Sequence, residues 1–342
     1  MTLSLDRPSQ LLCYQVSGIT LSSDVPIAEL SHRESLNPAD GWDIRVRFLP
    51  ELNHALRPSS WFLSLALPDE EPWLSCADIE EQALLGGKPG YLLRVHDLAD
   101  FLVDRQGTEV VTLANHETPT ETLHHILLNQ VLPLLLNLRG QDALHATAVL
   151  TPHGVCAFAG PAGVGKSTLA ASFLLAGYPV ISDDCLVLKE QEGRIVAVPG
   201  YPGLRLWDDV AQSLSLDPDH LSPVAHYTAK HRLLIPGQSQ AFPTEPLPLA
   251  RLYVLSRIEN SEARNEAAAI GLQPFPPRRA FMELLSSLFR LDIRDKTMLT
   301  RQFCFIERLV GQVPVKQLST PQTLSALPRV RETILADLLH EI

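Results

Sequence analysis

The chain has 342 residues, with 28 Lys or Arg against 39 Asp or Glu, which gives a formal net charge of −11. That balance argues against non-specific binding to nucleic acid or to an anionic membrane, because both need excess positive charge. The 45% of hydrophobic residues is enough for a sizeable core, and the length is typical of two domains.

The cysteines and the most apolar segments indicate the compartment. The five cysteines are scattered and form no C-x-x-C pair, which argues against a disulfide framework or a structural zinc site. The N-terminal residues show no basic segment followed by an apolar run, so we expect no secretory signal. The most apolar stretch, 126–138, is interrupted by polar residues and a proline and is too short to span a bilayer. We therefore expect a cytoplasmic protein.

Residues 1–115 are predicted to form a β-rich N-terminal domain. Ile44, Val46 and Phe48 alternate with charged residues, as a half-buried strand requires. Gly86-Gly87 marks a turn between further strand-like segments. Because this region contains no catalytic cluster, we interpret it as a domain for packing or partner recognition.

A second domain, residues 116–342, is predicted to begin with a helix. The helix covers 120–138, is kinked by Pro133 and ends before Gly140. Strands and helices then alternate through residues 146–198, which predicts an α/β core with a mainly parallel sheet.

The remainder of this domain divides into a loop and a helical region. Residues 222–249 are rich in proline, serine and glutamine and are predicted to form a long surface loop. A strand is expected at 251–255. Helices are expected near 281–288, 297–310 and 327–340, where apolar residues recur at helical spacing.

The run from Gly160 to Thr168 matches the phosphate-binding pattern G-x-x-x-x-G-K-[ST] between a predicted strand and a predicted helix. Glycines let such a loop curl so that its N–H groups face phosphate, and the helix N-terminus adds partial positive charge. Lys166 is expected to reach the β- and γ-phosphates, and the Ser167 hydroxyl to ligate Mg²⁺. The predicted nucleotide-binding residues are Gly160, Ala162, Gly163, Val164, Gly165, Lys166, Ser167 and Thr168.

Two adjacent acids, Asp183 and Asp184, follow the apolar strand that comes after this P-loop helix. Carboxylates in that place can face the γ-phosphate, where one holds Mg²⁺ and the other accepts a proton from an attacking hydroxyl. Since neighbouring strand residues point in opposite directions, the chain must turn here if both acids serve the site. The alternative is a pair of turn acids without a catalytic role.

Four further polar residues are candidates for the same site. His145 lies on the strand before the P-loop strand, where a structural histidine is the alternative interpretation. Arg205, Lys230 and Arg232 are candidate phosphate ligands, with solvated surface charges as the alternative.

From His145 to Asp209 the chain resembles the HPr kinase/phosphorylase family, whose core is related to phosphoenolpyruvate carboxykinase. Leu144-His145, the P-loop and the run 176–184 carry the resemblance. It implies an α/β fold, with a P-loop core of that type between the N-terminal β-rich domain and the C-terminal helices.

The resemblance also implies an activity, which is phosphorylation of a serine with ATP and Mg²⁺. Asp183 is then the general base, Asp184 supports the metal together with Ser167, His145 orients the acidic pair, and Lys166 completes the catalytic set. Chains of similar layout occur among kinases linked to ribosomally made peptides, which implies a peptide or small-protein acceptor. A homo-oligomer is a further expectation, since relatives commonly assemble.

Two other functions remain open at this point. One is a kinase for a small hydroxylated metabolite such as free serine, which an enclosed acceptor pocket would favour. The other is a nucleotide-binding regulatory module that binds ATP without transferring phosphate. The P-loop alone does not separate them, because it binds phosphates whatever happens to them next.

Overall fold

The computed structural model describes residues 11–36, 41–49, 56–65, 72–234, 242–257, 270–321 and 323–339. The chain divides into two compact units, Met1–Arg139 and Gly140–Ile342, and is of the mixed α/β class. Within the described ranges, no helix combines the length and the apolar character needed to cross a membrane.

Over the described residues, the first unit contains one nine-stranded sheet. Its strands are β1 Leu12–Val16, β2 Ile19–Ser23, β3 Glu34–Leu36, β4 Ile44–Leu49, β5 Leu63–Leu65, β6 Leu74–Gln82, β7 Lys88–Val95, β8 Ala99–Asp104 and β9 Glu109–Ala114. Their order is β3-β1-β2-β4-β9-β8-β7-β6-β5, with β4 parallel to β2 and β9 and the other neighbours antiparallel. Ile44 and Val46 are buried while Arg45 between them is partly exposed, which matches the alternation in the sequence.

The helical segment after this sheet is interrupted just before Pro133, the residue that is predicted to kink it. It consists of α1 Thr120–Ile126, a single π-helical stretch Leu127–Val131 and α2 Leu132–Leu138. Pro133 stands in the first turn of α2, where its missing N–H costs least. The segment packs within the first unit, since buried His124 contacts Glu29 at 3.0 Å, although the sequence-based division assigned it to residues 116–342.

The second unit is built on a larger sheet and a smaller one. The larger contains β10 Ala143–Leu144, β11 Thr147–Thr151, β12 Gly154–Ala159, β13 Val180–Ser182, β14 Leu186–Gln191, β15 Arg194–Val198, β19 Leu247–Arg257, β20 Gly271–Pro274 and β21 Val315–Thr320, and the smaller contains β16 Leu204–Trp207, β17 Leu221–Pro223 and β18 Lys230–Leu233. The helices are α3 Lys166–Leu175, α4 Asp208–Ser213, α5 Pro277–Ser286, α6 Lys296–Gln312 and α7 Leu327–Leu339.

The prediction of a mainly parallel sheet was wrong. The larger sheet has the order β10-β14-β15-β19-β12-β11-β13, with β21 beside β19 and β20 beside β21. Among the described strands of this sheet, only β12–β19 and β19–β21 pair in parallel. The reason is local: β11 and β12 are joined by the two-residue turn 152–153, which forces an antiparallel hairpin.

The prediction of one long loop at 222–249 was also wrong in part. Lys230–Leu233 forms the central strand of the smaller sheet, and β19 begins at Leu247; residues 235–241 lie outside the described residues. Helices are present in the C-terminal third, as predicted, together with two strands that the sequence did not indicate.

Successive residues of β12 are buried on opposite faces of the larger sheet. Ala157 belongs to the apolar cluster that includes Leu284 of α5 and Ile306 of α6. Phe158, the next residue, belongs to the cluster that includes Phe173 of α3 and Ile334 of α7. The loop after β12 therefore lies at the edge of a sheet with α5 and α6 on one face and α3 and α7 on the other.

Candidate functional site

The P-loop connects the end of β12 to the first turn of α3. Gly163 and Gly165 have φ angles of +76° and +111°, in the left-handed region that favours glycine. Arg257, at the end of the neighbouring strand β19, donates a hydrogen bond to the carbonyl of Gly163. The loop can therefore curl, and it is tied to the next parallel strand.

The side chain of Lys166 folds back and binds backbone carbonyls of the P-loop. Its Nζ donates to the carbonyl of Gly160 at 2.9 Å and to that of Pro161 at 3.3 Å, and the residue is 5% exposed. Burial lowers the pKa of Lys166, the nearby positive charge of Lys230 lowers it further, and the aspartates of the site oppose the shift. The ammonium thus lies under the loop that is predicted to hold phosphate.

Asp183 is buried, and both of its carboxylate oxygens are occupied. Oδ1 accepts hydrogen bonds from the hydroxyls of Thr147 and Ser167, each at 2.8 Å. Oδ2 accepts from the backbone N–H of Arg205 at 3.0 Å and from its Nε at 3.3 Å. Four donors therefore fix this carboxylate between the P-loop helix, β11 and β16.

Asp184 faces the same site because the chain turns at this residue. Its φ is +63°, which is uncommon for a residue other than glycine. Its Oδ1 lies 3.3 Å from Nε2 of His145, its Oδ2 lies 3.2 Å from Nη2 of Arg205, and its side chain is 26% exposed. Burial alone raises the pKa of Asp184, but the charge of Arg205 and the bond to His145 outweigh it and lower that pKa well below the ordinary value.

Arg205 joins the two acids. Besides its bonds to the Asp183 carboxylate, its Nη2 donates to the Asp183 carbonyl at 2.6 Å. Burial works against its charge, yet the charges of Asp184 and Asp183 raise the pKa of Arg205 above its ordinary value. The guanidinium is therefore a permanent cation that sets the geometry of the acidic pair.

His145 is held by the chain that follows α5. Its backbone N–H donates to the carbonyl of Ser287 at 2.7 Å, and its ring stacks on Phe289 with centroids 6.1 Å apart. The ring presents Nε2 to Asp184, and its side chain is 42% exposed. An incoming molecule can thus reach the histidine and the carboxylate beside it.

The two basic residues of β18 differ in their surroundings. Lys230 lies beside Trp207, with Nζ 5.1 Å from the ring centroid, and its charge acts on the pKa of Lys166. Arg232 is buried opposite Arg205 in the strand register, and its aliphatic stem packs against the backbone at Gly203. Lys230 is therefore placed toward the P-loop, and Arg232 supports the strand that carries Arg205.

A cavity of about 590 Å³ adjoins the P-loop on the α3 face of the sheet. Gly165, Thr168 and Trp207 line it, and Asp209 and Arg257 are its charged lining residues. Its apolar lining includes Leu169, Val210, Leu255, Leu324, Leu327 and Val330. A cavity that combines apolar side chains with polar groups is typical of small-molecule sites.

The oxygen atoms of the site suit a hard divalent cation. Within the described ranges, no three His, Cys, Asp or Glu side chains form a metal-binding cluster. The Ser167 hydroxyl and the carboxylates of Asp183 and Asp184 meet around the P-loop helix, and Mg²⁺ is usually held by one or two carboxylates together with substrate phosphates. These donors therefore fit Mg²⁺.

Several residues of this site were missed by the sequence reasoning. Thr147 lies two residues after His145, and on the strand expected there this spacing would have put both side chains on one face. In the structure, His145 lies between β10 and β11 and not on a strand. Arg257 and Phe289 carried no comparable signal, because their place depends on which strands and helices pack together.

Comparisons with known proteins add little to what the geometry of the site shows. No protein-family model and no curated protein matches the chain. A similar solved structure is the Hpr(Ser) kinase/phosphatase from Coxiella burnetii, with 10% identity over 58% of this chain and 99% of that chain, at a TM-score of 0.31. A TM-score of this size does not establish a common fold, so the functional conclusion depends on the site itself.

Proposed function

We propose that this chain is an ATP-dependent kinase of the HPr kinase type that phosphorylates a serine hydroxyl on a peptide or small protein. The observation that carries the proposal is the pair Asp183 and Asp184, held by Arg205 beside the Ser167 hydroxyl of the P-loop helix. A P-loop binds phosphate, and an acid beside it can accept the proton of an attacking hydroxyl.

The geometry favours Asp184 as the general base, in place of Asp183. Both oxygens of Asp183 already accept two hydrogen bonds each, which suits a fixed carboxylate that positions Ser167. Asp184 is partly exposed and borders His145, which can orient the carboxylate and stabilise its charge. This assignment reverses the roles that the family resemblance implies for the two acids.

The cations of the site would hold the phosphates. Lys166 would exchange its two bonds to loop carbonyls for bonds to the β- and γ-phosphates, and Lys230 would approach from β18. Mg²⁺, held through Ser167 and an aspartate, would neutralise the charge that builds up on the transferred group. The chain itself supplies the positioning, which accounts for most of the catalysis of phosphoryl transfer.

The reaction is a direct transfer. The acceptor hydroxyl oxygen forms a bond to the γ-phosphorus, the bond from that phosphorus to the β,γ-bridging oxygen breaks, and ADP leaves. The hydroxyl proton passes to the Asp184 carboxylate. No residue of the chain is covalently modified in this scheme.

The cavity on the α3 face suits the base and ribose of ATP. Gly165 and Thr168 line it, and the Trp207 ring offers a flat surface for stacking. We place the base there because the cavity combines this ring and several aliphatic side chains with polar groups, and because it adjoins the loop that would hold the phosphates.

The first experiment is a transfer assay with purified protein, Mg²⁺ and γ-labelled ATP. Serine peptides and free serine serve as acceptors, and the variants are Lys166→Ala and Asp184→Asn, with Lys296→Ala at the start of α6 as a matched lysine control. Labelled acceptor that disappears in the two site variants and persists in the control supports the kinase. Tight ATP binding with no transfer to any acceptor or to water would support the regulatory module instead.

A further inference from the structure

A second cavity, of about 820 Å³, adjoins the P-loop on the opposite face of the sheet. Pro161 and Ala162, the first residues of the loop after Gly160, line it, and so does Phe275 just before α5. Its floor includes Ser256 at the end of β19 and Gln317 on β21. The two cavities therefore flank the P-loop, one on the α3 face and one on the α5 face.

The second cavity has two arginines in its lining. Arg257 and Arg279 both line it and are exposed; Arg257 also borders the first cavity, whereas Arg279 does not. Arg279 lies over the ring of Phe275, with Cζ 5.2 Å from the centroid, and across the described part of the chain no carboxylate pairs with it. Two guanidinium groups at one cavity favour a ligand that carries a carboxylate or another anion.

An acid and several neutral polar groups complete the lining. Glu283 stands one helical turn after Arg279 on α5 and lines the same cavity. Gln317 donates to the Ser256 hydroxyl at 3.1 Å, and that hydroxyl lies 2.8 Å from the hydroxyl of Ser319. A ligand with a carboxylate and a neighbouring N–H or ammonium group would satisfy both signs of charge.

Helix α5 connects this cavity to the catalytic acids. Arg279 lies in the first turn of α5. Just after the end of α5, the carbonyl of Ser287 accepts a hydrogen bond from the backbone N–H of His145. A helix of ten residues is about 15 Å long, so its two ends are separated by roughly the length of a short peptide. A molecule bound along α5 would lie between Arg279 and the His145–Asp184 pair.

We propose that the second cavity binds the phosphate acceptor, and that this acceptor carries a carboxylate that pairs with Arg279 and Arg257. The proposal rests on the kinase function above and names its substrate class: a serine hydroxyl that has a carboxylate and an N–H donor nearby. A serine peptide with acidic neighbours can place its hydroxyl near one end of α5 and a carboxylate near the other, whereas free serine is too short to span about 15 Å. The first cavity takes the base, and the second cavity, which alone contains Arg279, takes the acceptor.

The test is acceptor binding by calorimetry, with the full chain loaded with Mg²⁺ and a non-hydrolysable ATP analogue. Two matched pairs of probes are used: free serine against serine amide, and a serine peptide flanked by aspartates against the same peptide flanked by asparagines. The aspartate-flanked peptide should bind about fivefold more tightly than its asparagine counterpart. A carboxylate preference in the free-serine pair alone would contradict a peptide acceptor.

Variants of neighbouring arginines make the test specific. Arg279→Gln should abolish the preference for the carboxylate probe, whereas Arg278→Gln should keep it, because Arg278 is exposed on the same helix turn without lining the cavity. Equal binding within both pairs, a preference that survives Arg279→Gln, or no binding of any carboxylate probe would overturn the proposal.

The same probes separate this inference from the kinase function. Carboxylate-dependent binding without phosphate transfer would leave the acceptor cavity standing and contradict the kinase. Transfer to amide and carboxylate acceptors at equal rates would leave the kinase standing and contradict the role of the arginines.

Discussion

The Ser167 hydroxyl donates a hydrogen bond of 2.8 Å to Oδ1 of Asp183, which joins the first turn of α3 to the residue that follows β13. The same carboxylate oxygen accepts from Thr147 on β11. Three segments that are distant in sequence thus converge on one oxygen atom. This arrangement places a hydroxyl and a carboxylate where a metal ion on the P-loop would need its protein ligands.

Ser167→Ala should weaken nucleotide binding only when Mg²⁺ is present. The variant removes the proposed metal ligand and keeps the backbone N–H groups of the loop, so we expect about a tenfold loss of Mg·ATP affinity and little change in EDTA. Calorimetric titrations under both conditions measure this. Thr300→Ala, a hydroxyl change on α6, serves as the control, and an equal loss in EDTA would contradict a metal-binding role.

Two replacements of Arg205 should distinguish the effect of its positive charge from the effect of its hydrogen-bond geometry. Arg205→Met leaves two acids without their buried cation, and we expect a loss of about 3 kcal/mol in the free energy of unfolding together with loss of transfer activity. Arg205→Lys keeps the charge but not the fork of donors, so it should recover part of the stability and little of the activity. Urea unfolding and transfer assays on both variants measure the two effects. Full activity in Arg205→Lys would show that charge alone suffices.

Asp337 should stabilise the second unit without acting on the site. Its carboxylate contacts Arg251 of β19 and lies 2.7 Å from Nζ of Lys316 on β21, and it also accepts a hydrogen bond from the Tyr253 hydroxyl at 2.9 Å. Asp337→Ala would leave two largely buried cations without their acid, at a cost of about 3 kcal/mol in unfolding free energy. Urea unfolding measures this cost. Glu332→Gln, an exposed acid on the same helix, should change stability little, and ATP binding should persist in both variants.

The contribution of Asp337 should also depend on pH. Burial alone raises its pKa, but the hydrogen bonds from Lys316, Arg251 and Tyr253 outweigh it and lower that pKa below the ordinary value. Because the unfolded chain then takes up the proton first, the stabilisation is present above about pH 4 and is lost as the pH falls through the lowered pKa. The stability difference between the protein and Asp337→Asn should therefore shrink in acid. A difference that grows below pH 4 would contradict this assignment.

Trp207 should report nucleotide binding by fluorescence. It is the one tryptophan in the sequence of the second unit, since Trp42, Trp61 and Trp73 belong to the first. A base that stacks in the α3-face cavity would change its emission, whereas tripolyphosphate, which has no base, would bind the loop with a smaller change. The ATP-dependent change should vanish in Trp207→Phe. Its persistence in that variant would place the base elsewhere.

Some features of the fold and of the site can be predicted from the sequence because the residues that define them are close together in the chain. The run Gly160–Thr168 contains its own glycines, lysine and hydroxyl, so local chemistry defines a P-loop without reference to other segments. The acids Asp183 and Asp184 follow directly on a short apolar strand. The alternation at Ile44 and Val46 likewise depends only on the period of a strand.

The direction of the strands was not readable in the same way. The alternation of strands and helices favoured a parallel sheet, yet the two-residue turn between β11 and β12 makes that pair antiparallel. The polar, proline-rich composition of 222–249 concealed β18, because that short strand is stabilised by its neighbours β16 and β17.

The sequence by itself determined the glycine-rich pattern Gly160–Thr168, the adjacent acids and the presence of a histidine before them, since these are contiguous patterns that need no partner. Only the tertiary structure decided the surroundings of each acid, because they depend on which donors reach each oxygen. It also brought Arg205 between the acids, His145 onto Phe289, and Arg257 and Arg279 to one cavity. These contacts depend on strand pairing and side-chain packing between segments that are distant in sequence. The contacts of the whole core together stabilise that arrangement.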